Sequence, residues 1–221
     1  MTYFDKDYFD FFKELAANNN KDWFDANRKR YENSVKKPFE KFISDLISEI
    51  NKIDSKVAIQ PKDAIFRINR DIRFSKDKTP YKLNRSAIVS PVGKKDKANP
   101  GLYVEISPEH CRVYGGVYMP DKHQLYNIRE TIANEPKKLE KLMSDNKFKE
   151  VFGEVRGEKN KIIPKEFKEV GEKADIIYNK QFYWFTQFKP EDALKSDFMK
   201  KTMDAYKANK KLMDYFAAAM N

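Results

Sequence analysis

Phe66-Arg67-Ile68-Asn69-Arg70-Asp71-Ile72-Arg73-Phe74-Ser75-Lys76-Asp77-Lys78-Thr79-Pro80-Tyr81-Lys82 is the stretch from which the rest of the chain is read. Taken as extended from Phe66 to Phe74, it sets Phe66, Ile68, Arg70, Ile72 and Phe74 on one mainly apolar face, with Arg67, Asn69, Asp71 and Arg73 on the other. The apolar face calls for a core; the opposite face is dense in charge. Lys76, Asp77, Lys78 and Lys82 then surround Thr79-Pro80, where proline holds its predecessor extended and the chain turns. The same two-residue period recurs downstream, so strands are expected near 64–74, 86–91, 101–107 and 110–118. Leu102, Val104 and Ile106 alternate with Tyr103 and Glu105, and Cys111, Val113 and Val117 alternate with Arg112, Tyr114 and Tyr118.

Outward from this sheet the period changes to that of helices. Tyr8, Phe11, Phe12, Leu15 and Ala16 form a stripe behind Asp5, Asn20 can cap a second helix, and Pro38 suits the first turn of a third carrying Phe39, Phe42, Ile43, Leu46, Ile47 and Ile50. Asp121 and Pro136 open two more helices, 153–172 reads as irregular connection, and Ser196 can cap a last helix with Met199, Met203, Tyr206, Met213 and Phe216 on one side. Phe182-Tyr183-Trp184-Phe185-Thr186-Gln187-Phe188 is apolar on both faces and is expected as the central strand. Gly115-Gly116, in a chain with 7 glycines, marks a bulge or a close approach. The expected fold is α+β: a mixed, largely antiparallel sheet from 56–120 and 180–190, with helices of 1–55, 121–152 and 190–221 on one face. The 221 residues fit one domain.

Lys+Arg 44 against Asp+Glu 34 leaves a formal charge of +10, which favours anionic partners. Only nine residues are arginine, and four of them fall between 67 and 85, where a planar fork suits phosphate or carboxylate. One cysteine, Cys111, excludes an internal disulfide framework and any multi-cysteine metal site. The first residues lack a secretory pattern, no apolar run reaches the ~20 residues of a membrane helix, and a cytoplasmic location is expected.

Several stretches resemble, in order, the domain-of-unknown-function family numbered 2461. They are Asn18-Asn19-Asn20-Lys21-Asp22-Trp23-Phe24, the Phe66 to Lys82 block, Gly115-Gly116-Val117-Tyr118-Met119-Pro120 with Ile128-Arg129, and Ile163-Pro164-Lys165-Glu166-Phe167. The resemblance spans nearly the whole chain and implies a single α+β domain; it supplies no activity and no catalytic residues. Where such proteins carry glycine, this chain has Asn84-Arg85-Ser86-Ala87 after the Tyr-Lys pair, and Glu166 in the Pro-Lys-x-Phe segment. A close backbone approach that glycine permits is therefore not expected at either place.

The candidate binding set is Arg67, Asn69, Asp71, Arg73, Lys76, Lys78, Lys82, Tyr103, Glu105, Arg112, Tyr114 and Tyr118. One reading is an anion-binding cleft around Arg67, Arg73 and Arg112 for a phosphorylated or carboxylated molecule, which in an enzyme would be the substrate, with Asp71, Glu105 or a tyrosine orienting it. A second makes the same arginines a structural network neutralised by Asp71, Asp77 and Glu105 across neighbouring strands. A third places nucleic acid, or an acidic protein, on Tyr103, Tyr114 and Tyr118 beside Arg67, Arg73 and Arg112. Arg70 falls on the apolar face and needs a buried acceptor or a bulge. Asp71, beside Arg70 and Arg73, should stay ionised with a lowered pKa. His110 and His123 lie beside no serine or cysteine nucleophile, no phosphate-binding glycine loop is present, and neither metal nor cofactor is expected.

Overall fold

Helices begin where the sequence supplies side-chain caps. In the computed structural model, which describes residues 1–220, Asp5 accepts from the Tyr8 amide at 3.1 Å and opens α1 (Lys6–Ala17). Asn20 accepts from the Trp23 amide at 2.9 Å and opens α2 (Lys21–Ala26). Pro38 does stand in the first turn of α3 (Lys37–Asn51), yet the chain does not break ahead of it. A helical turn, Arg28–Arg30, and a π-helical stretch, Tyr31–Lys36, run straight into α3. The wider turn bonds the Lys37 amide back to the Glu32 carbonyl, so a proline with no amide follows without a kink-inducing loss.

Four strands, β1 (Arg85–Val89), β2 (Leu102–Ile106), β3 (Cys111–Val117) and β4 (Phe182–Phe188), form one antiparallel sheet in the order β1-β2-β3-β4. With α4 (Lys122–Asn134), α5 (Pro136–Met143), α6 (Asn146–Phe152) and α7 (Phe198–Ala219), the protein is α+β with helices at both ends. Asp121 and Gln124 close a reciprocal capping box at α4, and Pro136 starts α5. Among the described residues no helix is long and apolar enough to cross a membrane.

Two compact units emerge. The first comprises Met1–Lys94, Tyr103–Val113 and Gln187–Met203. Its core gathers Phe11, Phe12, Phe39, Phe42, Ile43 and Leu46 under β1, with Val104, Ile106, Cys111 and Val113 also fully buried. Burial pushes the Cys111 thiol up to about 12, where it is a small apolar side chain and not a nucleophile. The second unit comprises Lys95–Leu102, Tyr114–Thr186 and Asp204–Asn221. There Phe182 and Trp184 pack on Phe216 of α7 at 5.0 and 6.0 Å between ring centres, and Phe148 of α6 meets Trp184 edge-on at 5.5 Å.

Two expectations fail. Residues 64–74 are not a strand: only Ile65 pairs with Ala87, and the Phe66 amide donates to the Ser86 carbonyl at 3.0 Å, before the chain leaves the sheet. It then folds on itself, with Asn69 paired to Tyr81, the Arg70 amide bonded to Pro80 O at 2.8 Å and the Lys82 amide to Ile68 O at 2.9 Å. The alternation dissolves: Ile68 is buried, Ile72 half-buried and Phe74 95% exposed. The second failure is β4, which lies at the sheet edge and not its centre. Its outer edge is occupied by Arg156, whose amide and carbonyl exchange hydrogen bonds of 2.7 and 2.9 Å with Tyr183, so an apolar strand is covered without a fifth strand. The segment 153–172 is correspondingly less irregular than expected, holding short helical turns at Lys165–Phe167 and Lys168–Gly171.

Gly115-Gly116 meets the expected close approach, and the neighbour is β4. A Cβ at Gly116, where φ is +122°, would lie 2.0 Å from the Phe182 carbonyl oxygen, and one at Gly115 would lie 2.5 Å from the Trp184 ring nitrogen.

Candidate functional site

Arg70, Arg73 and Lys78 of the Phe66–Lys82 loop find their partners within it. Arg70 finds its acceptors within the loop, in Asp77 and in the Thr79 hydroxyl and carbonyl. The Thr79 amide, followed by Arg70, holds the Asp77 carboxyl down to about 2. Arg73 donates from Nε and Nη2 to the two Asp71 oxygens at 3.0 and 2.7 Å, and this pair together with the Arg73 amide holds Asp71 down to about 2. The partner of Asp71 is thus Arg73 alone of its two arginine neighbours; Arg70 belongs to Asp77. Lys78 Nζ donates to the Ile72 carbonyl at 2.9 Å, and Arg67, Asn69 and Lys76 are exposed.

At its root the loop is anchored to the helices. Tyr81 stacks on Phe24 with ring centres 4.1 Å apart, and Asn19 exchanges two hydrogen bonds with the Tyr81 backbone, at 2.9 and 3.1 Å. Lys82 lies over the Phe66 ring at 5.6 Å, and that ring meets Tyr103 of β2 at 6.1 Å.

From Tyr103 a second constellation continues across the outward face of the sheet. The Tyr103 hydroxyl donates to Glu105 Oε2 at 3.1 Å, and His110 Nε2 lies 2.8 Å from Glu105 Oε1. All three side chains are half-buried. The tight Ser107-Pro108-Glu109-His110 turn explains the placement. The Ser107 amide donates to His110 O at 3.0 Å, so the two residues pair, and alternation then puts His110, Arg112 and Glu105 on one face with Glu105 opposite Arg112. Arg112 Nε donates to the Gln187 side-chain oxygen of β4 at 2.8 Å.

Of the expected set, the structure therefore brings Lys82, Tyr103, Glu105 and Arg112 into one outward patch and leaves Asp71, Arg73, Lys76 and Lys78 on the free part of the loop. Arg70 and Arg73 are paired with aspartates inside the loop and not across strands, and Glu105 pairs with Tyr103 and His110. Tyr114 and Tyr118 belong to the second unit. Tyr114 packs on Phe185 at 5.1 Å, Arg156 covers that ring at 4.6 Å, and Tyr118 is 51% exposed. His110 is the residue the sequence reading passes over; its signal was the turn, which fixes the register that carries it to Glu105. The second unit also holds a cavity of about 540 Å³ lined mainly by apolar side chains, Ile132, Leu139, Met143, Val170 and Ile176 among them, and by none of the expected site residues.

Fold and patch together define an α+β protein that combines a braced cationic loop with a carboxylate–imidazole pair on its sheet. The chain belongs to the family described as conserved hypothetical protein (DUF2461), whose model matches residues 7–215. No curated protein and no solved structure matches it.

Proposed function

We propose that the first unit binds a small phosphorylated or carboxylated molecule on the outward sheet patch, with Lys82 and Arg112 as its cationic contacts. The observation that supports this most is the Glu105 carboxylate, held between the Tyr103 hydroxyl and His110 Nε2 on a face that also carries those two cations. A carboxylate so held fixes the orientation of the imidazole, which suits a directed contact with a bound ligand. Arg112, itself oriented by Gln187, supplies directional donors for a phosphate or carboxylate. If the protein turns its ligand over, His110 is the acid–base group in this arrangement and Glu105 its positioning residue.

The test is a thermal-shift and titration panel of sugar phosphates, nucleotides and carboxylates on the native chain, Arg112→Ala and Glu105→Gln. A ligand at a hundredfold over its Kd should stabilise the native chain by about 2.7 kcal/mol. Arg112→Ala should abolish that shift, and Glu105→Gln, which loosens the hold on Tyr103 and His110, should reduce it. No shift with any anion, together with loss of stability in both variants, would make the constellation a brace for the β2–β3 hairpin and end the proposal.

A further inference from the structure

Phe74 is the most exposed large apolar side chain among those on the protein surface, at 95%, ahead of Ile162 at 80% and Met1 at 76%. It is not exposed because its loop lacks structure. The loop is closed by the Asn69–Tyr81 pair, tied across by Arg70 to Asp77 and Thr79, clipped by Lys78 to the Ile72 carbonyl and rooted through Tyr81 on Phe24 and Asn19. Such a loop holds the ring out in water, where an apolar side chain gains nothing for the fold.

The surroundings of the ring are specific. Asp71 takes Nε and Nη2 of Arg73 and so fixes the guanidinium, whose carbon lies 5.8 Å from the centre of the Phe74 ring. A flat aromatic ring beside an oriented guanidinium is a stacking platform. Around it the segment 66–82 carries six basic residues against two acidic ones. Both acids are already engaged, Asp71 by Arg73 and Asp77 by Arg70, while Arg67 and Lys76 stand exposed.

From this geometry we propose that the free end of the Phe66–Lys82 loop binds single-stranded nucleic acid, with Phe74 stacking on an unpaired base and Arg67 and Lys76 meeting the flanking phosphates. Every base offers a π face, and a polyanionic backbone complements the excess positive charge, so the platform and the cations are used together. An anionic bilayer would use the cations but not the oriented guanidinium, and it would draw one ring, with two carboxylates nearby, into the headgroup layer. A duplex keeps its bases stacked and offers the ring no partner. This site goes beyond the sheet patch and does not depend on it.

The experiment is fluorescence anisotropy of labelled 15-mers of deoxythymidine and of uridine with the full native chain, Phe74→Ala, Phe74→Trp and the double variant Arg67→Ala/Lys76→Ala. A duplex of equal length and phosphatidylserine vesicles serve as competitors. Phe74→Ala should weaken strand binding about 5- to 100-fold at an unchanged melting temperature. Phe74→Trp should restore binding, with the new indole emission quenched on addition of strand. The double variant should weaken binding and flatten its dependence on salt. Lack of strand binding at low salt, equal affinity of Phe74→Ala and the native chain, or Phe74-dependent binding of vesicles or duplex in preference to single strand would each overturn the proposal.

Discussion

The Phe66–Lys82 loop and strand β4 are both rich in aromatic residues, and they are held by opposite means. β4 is fixed by side chains: Phe182 and Trp184 are fully buried against Phe216 and Phe148. The loop is fixed by backbone and charged hydrogen bonds, and its one aromatic tip touches no other ring of its own core. Apolar packing is non-directional and carries most of a fold's stability, whereas hydrogen bonds in partial contact with water contribute little each but set conformation sharply. A segment held the second way can spare its exposed side chains for ligands. One held the first way cannot.

The sharpest way to break the comparison is to truncate one aromatic in each region. Trp184→Ala should cost about 3–5 kcal/mol, read from urea denaturation, because it removes a fully buried ring and leaves a cavity. A loss under ~1 kcal/mol would mean that β4 is not anchored by its side chains. Next, Arg70→Ala should cost about 1 kcal/mol and open the loop to protease, since the half-buried guanidinium bonds both Asp77 and Thr79. Arg70→Lys should recover only part, a single ammonium being unable to reproduce the fork.

Acid sharpens the same contrast. Asp71 and Asp77 have carboxyls held at about 2, below the ordinary 3.8. A lowered native pKa stabilises fully above the ordinary value and ceases to do so as pH falls through the native one. Loop amides should therefore stay protected against hydrogen exchange down to about pH 4 and lose protection toward pH 2, ahead of the β4 amides. Simultaneous loss in both regions would show that the loop has no separate means of support. The smallest effect is expected from Phe74→Ala, within about 0.5 kcal/mol of the native chain by the same denaturation, because the ring is almost wholly exposed.

These differences also explain what the sequence disclosed. Helix starts at Asp5, Asn20 and Asp121 were legible because a cap is a contact between residues three apart, and the one at Pro136 because proline suits a first turn. The faces of β2 and β3 were legible because their alternation coincides with burial. The period of 66–74 misled because alternation describes side chains and says nothing of whether a neighbouring strand is present. Here Pro80 and Lys82, from the same loop, supply the backbone partners instead. β4 misled because its edge is covered by Arg156, a residue 27 positions upstream of Tyr183 that carries no strand pattern. The candidate patch was half legible. Tyr103, Glu105 and Arg112 follow from strand spacing and Lys82 from the basic stretch that holds it, but His110 required the register of the turn.

Cys111 gives the molecule a reporter that needs no engineering. It is the chain's single thiol, it faces the core from β3, and burial keeps it protonated at neutral pH. A thiol reagent in solution can reach it only when β3 is bared, so the rate of its modification in the native chain counts those openings directly. A ligand that tightens the β2–β3 hairpin would slow that clock, and one that only occupies the free end of the basic loop would leave it unchanged.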